Sequence, residues 1–259
     1  MTLSKEELQK VVAVGLYNDG YVYHRKWDNK YVLYFSSSDP NLHNYFQKLV
    51  FLAFEESPSA YYKVKGKNLW VTNYQRGANN SMVKTLFSLT PTFTTKKGHE
   101  PSLSFLFDER EEVKAQALRL AMSCDGSISI KSNKPLKPWK SYALRLACAN
   151  PKLNLEFQKL FSDVGITMNI DKDKNTWSGI HGLATGKKSD FFRFWQMGGF
   201  APENVKVTNG KLIGLTKNEV LDIVIQRIFR YRGSMNNVPI TDPLKNYSTK
   251  RSSVEGGVV

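Results

Sequence analysis

The run Val12-Ala13-Val14-Gly15-Leu16-Tyr17-Asn18-Asp19-Gly20, an apolar segment closing on Asp-Gly, returns as Leu118-Arg119-Leu120-Ala121-Met122-Ser123-Cys124-Asp125-Gly126, with the two aspartates 106 residues apart. Two further matches follow in the same order. Asp39-Pro40-Asn41-Leu42 with Phe46-Gln47-Lys48-Leu49 pairs with Asn150-Pro151-Lys152-Leu153 and Phe157-Gln158-Lys159-Leu160 at an offset of 111, and Lys67-Asn68-Leu69-Trp70 pairs with Lys174-Asn175-Thr176-Trp177 at an offset of 107. One such match arises easily by chance, whereas three in register indicate an internal duplication. The jump in offset is assigned to Lys134 to Pro138, read as a longer hairpin turn.

Local signals supply the elements of each copy. Ser4 with Glu7, and Asp108 with Glu111, have capping-box spacing ahead of the two apolar helices. The glycine of each Asp-Gly is expected to end its helix in a positive-φ conformation. Paired strand-like runs come next, Tyr21 to Lys26 with Lys30 to Ser37 and Ser127 to Lys131 with Lys140 to Ala149. Asp39-Pro40 and Asn150-Pro151 read as an N-cap followed by proline at the first helical position. A second pair of strands (Ala60 to Lys65 with Leu69 to Gln75; Thr167 to Asp171 with Trp177 to Ala184) and a helix (Ser81 to Leu89; Ser189 to Met197) complete each copy. A further amphipathic helix, Asn218 to Arg232, reads as a buttress on the second half. The expected division is residues 1–98, residues 99–233 with that helix, and a flexible tail over 234–259.

Composition narrows the function. With 37 Lys+Arg against 23 Asp+Glu the chain carries +14, which draws it to polyanions. Two cysteines, Cys124 and Cys148, cannot build a disulfide framework or a four-cysteine zinc site. No run approaches the length of apolar residues needed to span a bilayer, and the start reads as a helix cap rather than a signal peptide. These features predict an intracellular protein without membrane contact, in the cytoplasm of an archaeon or bacterium or in an organelle. His24, His43, His99 and His181 show no metal-ligand spacing, and no Gly-rich phosphate loop or nucleophile motif supports a metabolic α/β enzyme.

An apolar helix ending in Asp-Gly, repeated once and followed each time by two strands, resembles the LAGLIDADG homing endonucleases over residues 5 to 232. Both motifs depart from the family pattern: Val14 and Leu120 occupy its small third position, and Tyr17 and Ser123 stand where its first aspartate belongs. The resemblance implies an α+β fold of two αββαββα halves related by a pseudo-two-fold axis, with antiparallel sheets forming a DNA-binding saddle. It implies that the motif helices pack together, small residues Ala13, Gly15 and Ala121 easing the approach. Asp19 and Asp125 would then be catalytic and hold Mg²⁺, or Mn²⁺ or Ca²⁺ in its place, with the backbone carbonyls of Asn18 and Cys124 as further ligands. Lys96, Lys97 and Lys206 are candidates by position for the family's assisting lysines, Lys96 and Lys206 foremost. The implied activity is metal-dependent cleavage of both DNA strands by an intron-encoded monomer that contains its own pseudo-dimer.

Strand alternation suggests the DNA-facing residues, since side chains two apart share a face. Tyr21, Tyr23 and Arg25 in the first half correspond to Ser127, Ser129 and Lys131 in the second. Lys63, Lys65 and Lys67 alternate with Tyr62 and Val64, and Lys140 and Arg145 lie on the next strand of the second half. The two sets differ, so the expected double-stranded target is asymmetric. The alternative is a binding-only protein of the same fold, an intron RNA maturase or a regulator.

Overall fold

The computed structural model describes residues 3–131, 141–208 and 212–233. The expected turn at 134–138, Lys140 and the tail 234–259 lie outside the described residues. The first half runs α1 (Lys5–Tyr17), β1 (Gly20–Arg25), β2 (Lys30–Ser37), α2 (Pro40–Phe54), β3 (Ala60–Lys63), β4 (Trp70–Gly77) and α3 (Ser81–Leu89). A 3₁₀ turn, Ser104–Leu106, precedes the second half: α4 (Glu111–Asp125), β5 (Gly126–Lys131), β6 (Ser141–Ala147), α5 (Pro151–Asp163), β7 (Asn169–Lys172), β8 (Ile180–Thr185) and α6 (Lys188–Gln196). α7 (Lys217–Gly233) follows, packed on α6 and β5. Both sheets are antiparallel with the same strand order, β1-β2-β4-β3 and β5-β6-β8-β7. This is the expected αββαββα duplication. Among the described residues no helix is long and apolar enough to cross a membrane.

Burial explains why α1 and α4 are the centre. A surface helix hides one stripe of side chains, but α1 buries seven consecutive residues, Val11 to Tyr17, because sheet, α2, α3 and α4 enclose it on all sides. In α4, Ala117, Leu118 and Leu120 to Ser123 are likewise buried. Each fully buried Val or Leu here contributes roughly 1.5–3 kcal/mol by leaving water. The two helices meet at Gly15, where an added Cβ would lie 2.8 Å from the Phe46 ring and 3.2 Å from Leu120. Their N-terminal ends are tied by Arg110, whose Nε and Nη2 donate to Glu7 at 2.6 and 2.9 Å. The same guanidinium, with the Ser4 amide, holds the Glu7 carboxyl down at about 2.

The caps and turns correct several expectations. Ser4 and Glu7 form the capping box in both directions, and Asp39 and Asn150 cap α2 and α5 ahead of their prolines. Asp108 does not cap α4, which begins at Glu111 with Arg110 as N-cap and no side-chain cap bond; the Arg110 guanidinium, which has no acceptor to offer a helix N–H, donates to Glu7. Nor do the Asp-Gly glycines take positive φ. Gly20 and Gly126 open β1 and β5, Gly126 at φ −88°. They are required for close approach: a Cβ on Gly126 would lie 2.4 Å from the Met122 carbonyl oxygen, and one on Gly20 would lie 2.8 Å from both Leu16 Cα and the Tyr34 carbonyl oxygen. Glycine thus lets each strand fold straight back along the helix it leaves.

Register also revises the repeat. Phe35 pairs with Gly20 and Thr72, and Leu146 with Gly126 and Leu183, so Leu183 answers Thr72 at the same 111-residue spacing that separates Leu146 from Phe35. The whole change of offset therefore falls between β5 and β6. The match of Lys67–Trp70 with Lys174–Trp177 is not topological: Trp70 begins β4, whereas Trp177 lies in the turn before β8.

The glycine geometry predicts that Gly126→Ala destabilises the fold by about 1–3 kcal/mol or more, since the clash is with backbone rather than with a mobile side-chain end. Gly77→Ala, where a Cβ meets nothing within 4 Å, leaves the denaturation midpoint unchanged. Equal midpoints for the two variants would contradict this account.

Candidate functional site

Because α1 and α4 pack side by side, the aspartates that end their motifs arrive at one place. Asp19 and Asp125 are each partly accessible and within electrostatic reach of one another. Burial first, and then repulsion from Asp125, push the Asp19 carboxyl up to about 7; burial pushes Asp125 up to about 6 against the opposing pull of Lys217. The Cys124 thiol and Ser37 hydroxyl hydrogen-bond the Asp19 carboxylate, and its backbone carbonyl accepts from the Ser36 amide at 2.8 Å. This is an acidic pair maintained against desolvation.

Among the described residues the cation acting on this pair is Lys217, which the sequence does not single out. Its ammonium donates to the carbonyls of Ser123 and Gly126 at 2.7 Å each and to that of Met122 at 3.4 Å. Burial draws its pKa down, while Cys124, Asp19, Asp125 and Asp39 draw it up. A signal for it exists. Thr216 and Glu219 form a reciprocal capping box, with amide-to-side-chain bonds of 2.7 and 3.0 Å, which starts α7 one residue earlier than expected and puts Lys217 in its first turn. A lysine there opposes the helix dipole. The ammonium instead satisfies the carbonyl end of α4, where positive charge is favoured.

The first half caps its motif helix differently. The Asn18 side chain donates to the Val14 carbonyl at 2.8 Å and its backbone amide bonds the Gly15 carbonyl. Tyr17 and Ser123, the residues standing in the family's acidic position, act as anchors. The Tyr17 hydroxyl bonds Thr90 at 2.5 Å and the Ser102 carbonyl at 3.0 Å, fastening the connection between the halves. Ser123 Oγ receives the Ala201 amide at 2.7 Å, fastening the segment that leads to Lys217.

The other candidates are scattered. Lys96 and Lys97 are exposed on the connection between the halves, and the Lys206 side chain is exposed while its backbone amide bonds Asp39. Gln47 and Gln158 are held internally, donating to Thr72 Oγ1 at 2.9 Å and the Met168 carbonyl at 2.8 Å. Tyr21, Tyr23 and Arg25 share the sheet face turned away from the helices, with Tyr34 opposite Tyr21. Arg25 is bound to Asp28 at 2.6 and 2.9 Å and to Gln75 at 2.9 Å. Ser127 lies opposite Arg145, Ser129 opposite Ala143, and Lys131 opposite Ser141 at the strand's end. Arg145 is ion-paired with Asp171 at 3.2 Å. The alternation expected of Lys63 is reversed: Tyr62 takes the Tyr21 face, and Lys63 lies on the opposite one, over the Trp70 ring. Lys65 and Lys67 are exposed in the turn that follows, around Gly66 at φ +75°.

No family model matches the chain, and no curated protein matches it in sequence. Solved structures do match it. Mesophilic variants of the homing endonuclease I-DmoI align at 14% identity over 74% of this chain and 96% of theirs, TM-score 0.52. I-DmoI in complex with DNA and Mn aligns at 14% identity over 75% of this chain and 97% of that one, TM-score 0.51. Full-length WhiA from Thermatoga maritima aligns at 15% identity over 98% of this chain and 70% of its own, TM-score 0.52. The N-terminal LAGLIDADG domain of WhiA also aligns, at 13% identity. The chain has the LAGLIDADG fold.

The strained acidic pair carries a stability cost with a definite pH dependence. For a carboxyl whose folded pKa is raised, the favourable contribution is complete below the unfolded value near 4 and is lost as pH rises through the folded values of about 6 and 7. Asp19→Asn and Asp125→Asn are therefore expected to be more stable than the parent by about 1–3 kcal/mol at pH 8 in chelator. The gain shrinks toward pH 5. Urea midpoints across that range check both the sign and the trend, and variants less stable at pH 8 would refute it.

Proposed function

We propose that this protein is a site-specific endonuclease of double-stranded DNA, hydrolysing a phosphodiester in each strand at the Asp19–Asp125 centre with a divalent cation, Mg²⁺ foremost. The observation that supports this most strongly is the acidic pair itself. Two carboxylates from duplicated helix ends are kept side by side at a cost to stability, which a scaffold gains nothing by retaining. Homing endonuclease I-DmoI, a fold neighbour, has been seen with DNA and Mn and with DNA and Ca.

The residues fit such a cation. The carboxylates of Asp19 and Asp125 would offer it hard oxygen donors, the backbone carbonyls of Asn18 and Cys124 being the further ligands proposed, and a positive charge would relieve the burial of both carboxylates and the repulsion that Asp125 exerts on Asp19. When bound, the cation supplies Lewis acidity toward a phosphate oxygen and lowers the pKa of a water. The chain's own contribution is positioning and charge. Asp19 and Asp125 would hold the cation, and Lys217, whose three N–H groups are directed at the carbonyls of Met122, Ser123 and Gly126, contributes a fixed positive charge beside them rather than a hydrogen bond to the phosphate. Lys96 and Lys206 serve at most as phosphate contacts.

The DNA lies across both sheets. Residues 1–98 and 99–233 each take one half of the site, through Tyr21, Tyr23 and Arg25 on one side and Ser127, Ser129, Lys131 and Arg145 on the other. Lys65 and Lys67 reach flanking phosphates from their turn, Lys63 being turned away. The unlike sets suit an asymmetric target, and one chain with an internal pseudo-dimer needs no partner subunit. One observation favours a second reading, a binder of DNA or intron RNA without cleavage: Lys217 is a built-in counter-ion that tempers the acidic pair without metal.

Cleavage of a long randomised duplex library in Mg²⁺ separates the two. The parent is expected to cut both strands, and Asp19→Asn, Asp125→Asn and Lys217→Met to lose on the order of 10²-fold or more in rate while retaining duplex binding. Binding by the parent without cutting in Mg²⁺, Mn²⁺ or Ca²⁺ would establish the second reading.

A further inference from the structure

Asp19 leads directly into β1, so the open face of the first sheet continues from the carboxylate centre. That face carries a wall of tyrosines. Ring centroids lie 4.9 Å apart for Tyr21 and Tyr34, 5.9 Å for Tyr21 and Tyr23, and 6.0 Å for Tyr23 and Tyr34, with interplanar angles of 21°, 21° and 6°. Tyr62 belongs to the group from β3, close enough to act electrostatically on Tyr21 and Tyr34. Tyr21, Tyr23 and Tyr62 remain 46%, 38% and 44% exposed. The wall stands on Val32, which is fully covered yet lies outside the core cluster, as expected of a floor on the open face. Asn73, opposite Tyr34, is 5% exposed, and its buried amide oxygen has no hydrogen-bond partner.

Among the described side chains, the strands of the second sheet carry no aromatic ring on the same face. Ser127 and Ser129 stand opposite Arg145 and Ala143, Ala184 follows, and Arg145 is engaged by Asp171. Two sheets of one topology thus project side chains of unequal height. Side chains stand roughly perpendicular to a sheet, so rings stacked on each other direct edges and hydroxyls outward. Their faces are already occupied, which disfavours the base stacking used on single strands. An apolar ring edge suits the thymine methyl in the major groove. A phenol hydroxyl both donates and accepts, so the methyl contact sets the preference.

We propose that Tyr21, Tyr23, Tyr34 and Tyr62 are the chief sequence-reading surface of this protein, directed at an A·T-rich half of the duplex through thymine methyl groups, while the second sheet discriminates little between bases. This rests on the duplex-binding reading above. Duplexes selected by the full chain from a randomised library should show one half-site rich in A·T pairs and the other nearly degenerate. Replacing thymine by uracil in the A·T-rich half should weaken binding about tenfold, with no change when the other half is substituted. Tyr21→Phe with Tyr23→Phe and Tyr62→Phe should keep that preference, because the ring edges persist. Tyr23→Ser, checked for folding by circular dichroism, should flatten it. Equal base discrimination in the two halves, indifference to uracil, or tighter binding of single-stranded RNA than of duplex would overturn the proposal. Equal discrimination or indifference leaves the duplex reading standing, whereas failure to bind any duplex removes both.

Discussion

The contact between α1 and α4 is the constraint on which the molecule rests. Two helices approach closely only where side chains are short, and Gly15 supplies the gap that Phe46 and Leu120 fill. Each helix is enclosed almost all round, so the pair is both the core and the seam between the halves. Moving one helix along the other would break the Glu7–Arg110 tie at one end and separate Asp19 from Asp125 at the other. Stability and the acidic centre therefore share a single geometry, although the centre itself opposes stability.

That opposition is contained by local devices rather than removed. The carbonyl end of α4 takes the Lys217 ammonium, the end of α1 takes the Asn18 side chain, and Cys124 and Ser37 hydrogen-bond Asp19. The halves are thus alike in backbone and unlike in chemistry. The same divergence recurs on the sheets, where the stacked Tyr21, Tyr23 and Tyr34 answer Ser127, Ser129 and Arg145 across the pseudo-two-fold relation. A fused pair can diverge in this way because neither half must match a copy of itself.

Much of this was legible in the chain. Repetition of Asp-Gly after an apolar run, the Asp-Pro and Asn-Pro starts of α2 and α5, and period-two strands are local signals, and they located most elements within a few residues. Failures came where a residue answered a distant partner. Arg110, and not Asp108, stands at the start of α4, where its guanidinium reaches across to Glu7 of α1. Lys63 and Tyr62 exchange faces because the pairing of β3 with β4, not alternation within β3, sets which side is open. The Lys-Asn-x-Trp resemblance is a coincidence of spelling that strand register exposes.

Sequence by itself determined the duplication, the order of elements, the basic charge and the aspartates at the helix ends, because each depends on composition or on neighbours within a few positions. Tertiary structure decided what those aspartates meet. Lys217 lies 92 residues beyond Asp125, in a helix whose apolar stripe suggests only packing, and it reaches the centre through the fold of α7 against β5. The glycines of Asp-Gly were legible as glycines, but their purpose was not, since a close backbone approach between helix and strand exists only once the chain has turned back on itself. Through-space proximity leaves no periodic trace in a chain, so the chemistry of the site had to come from coordinates.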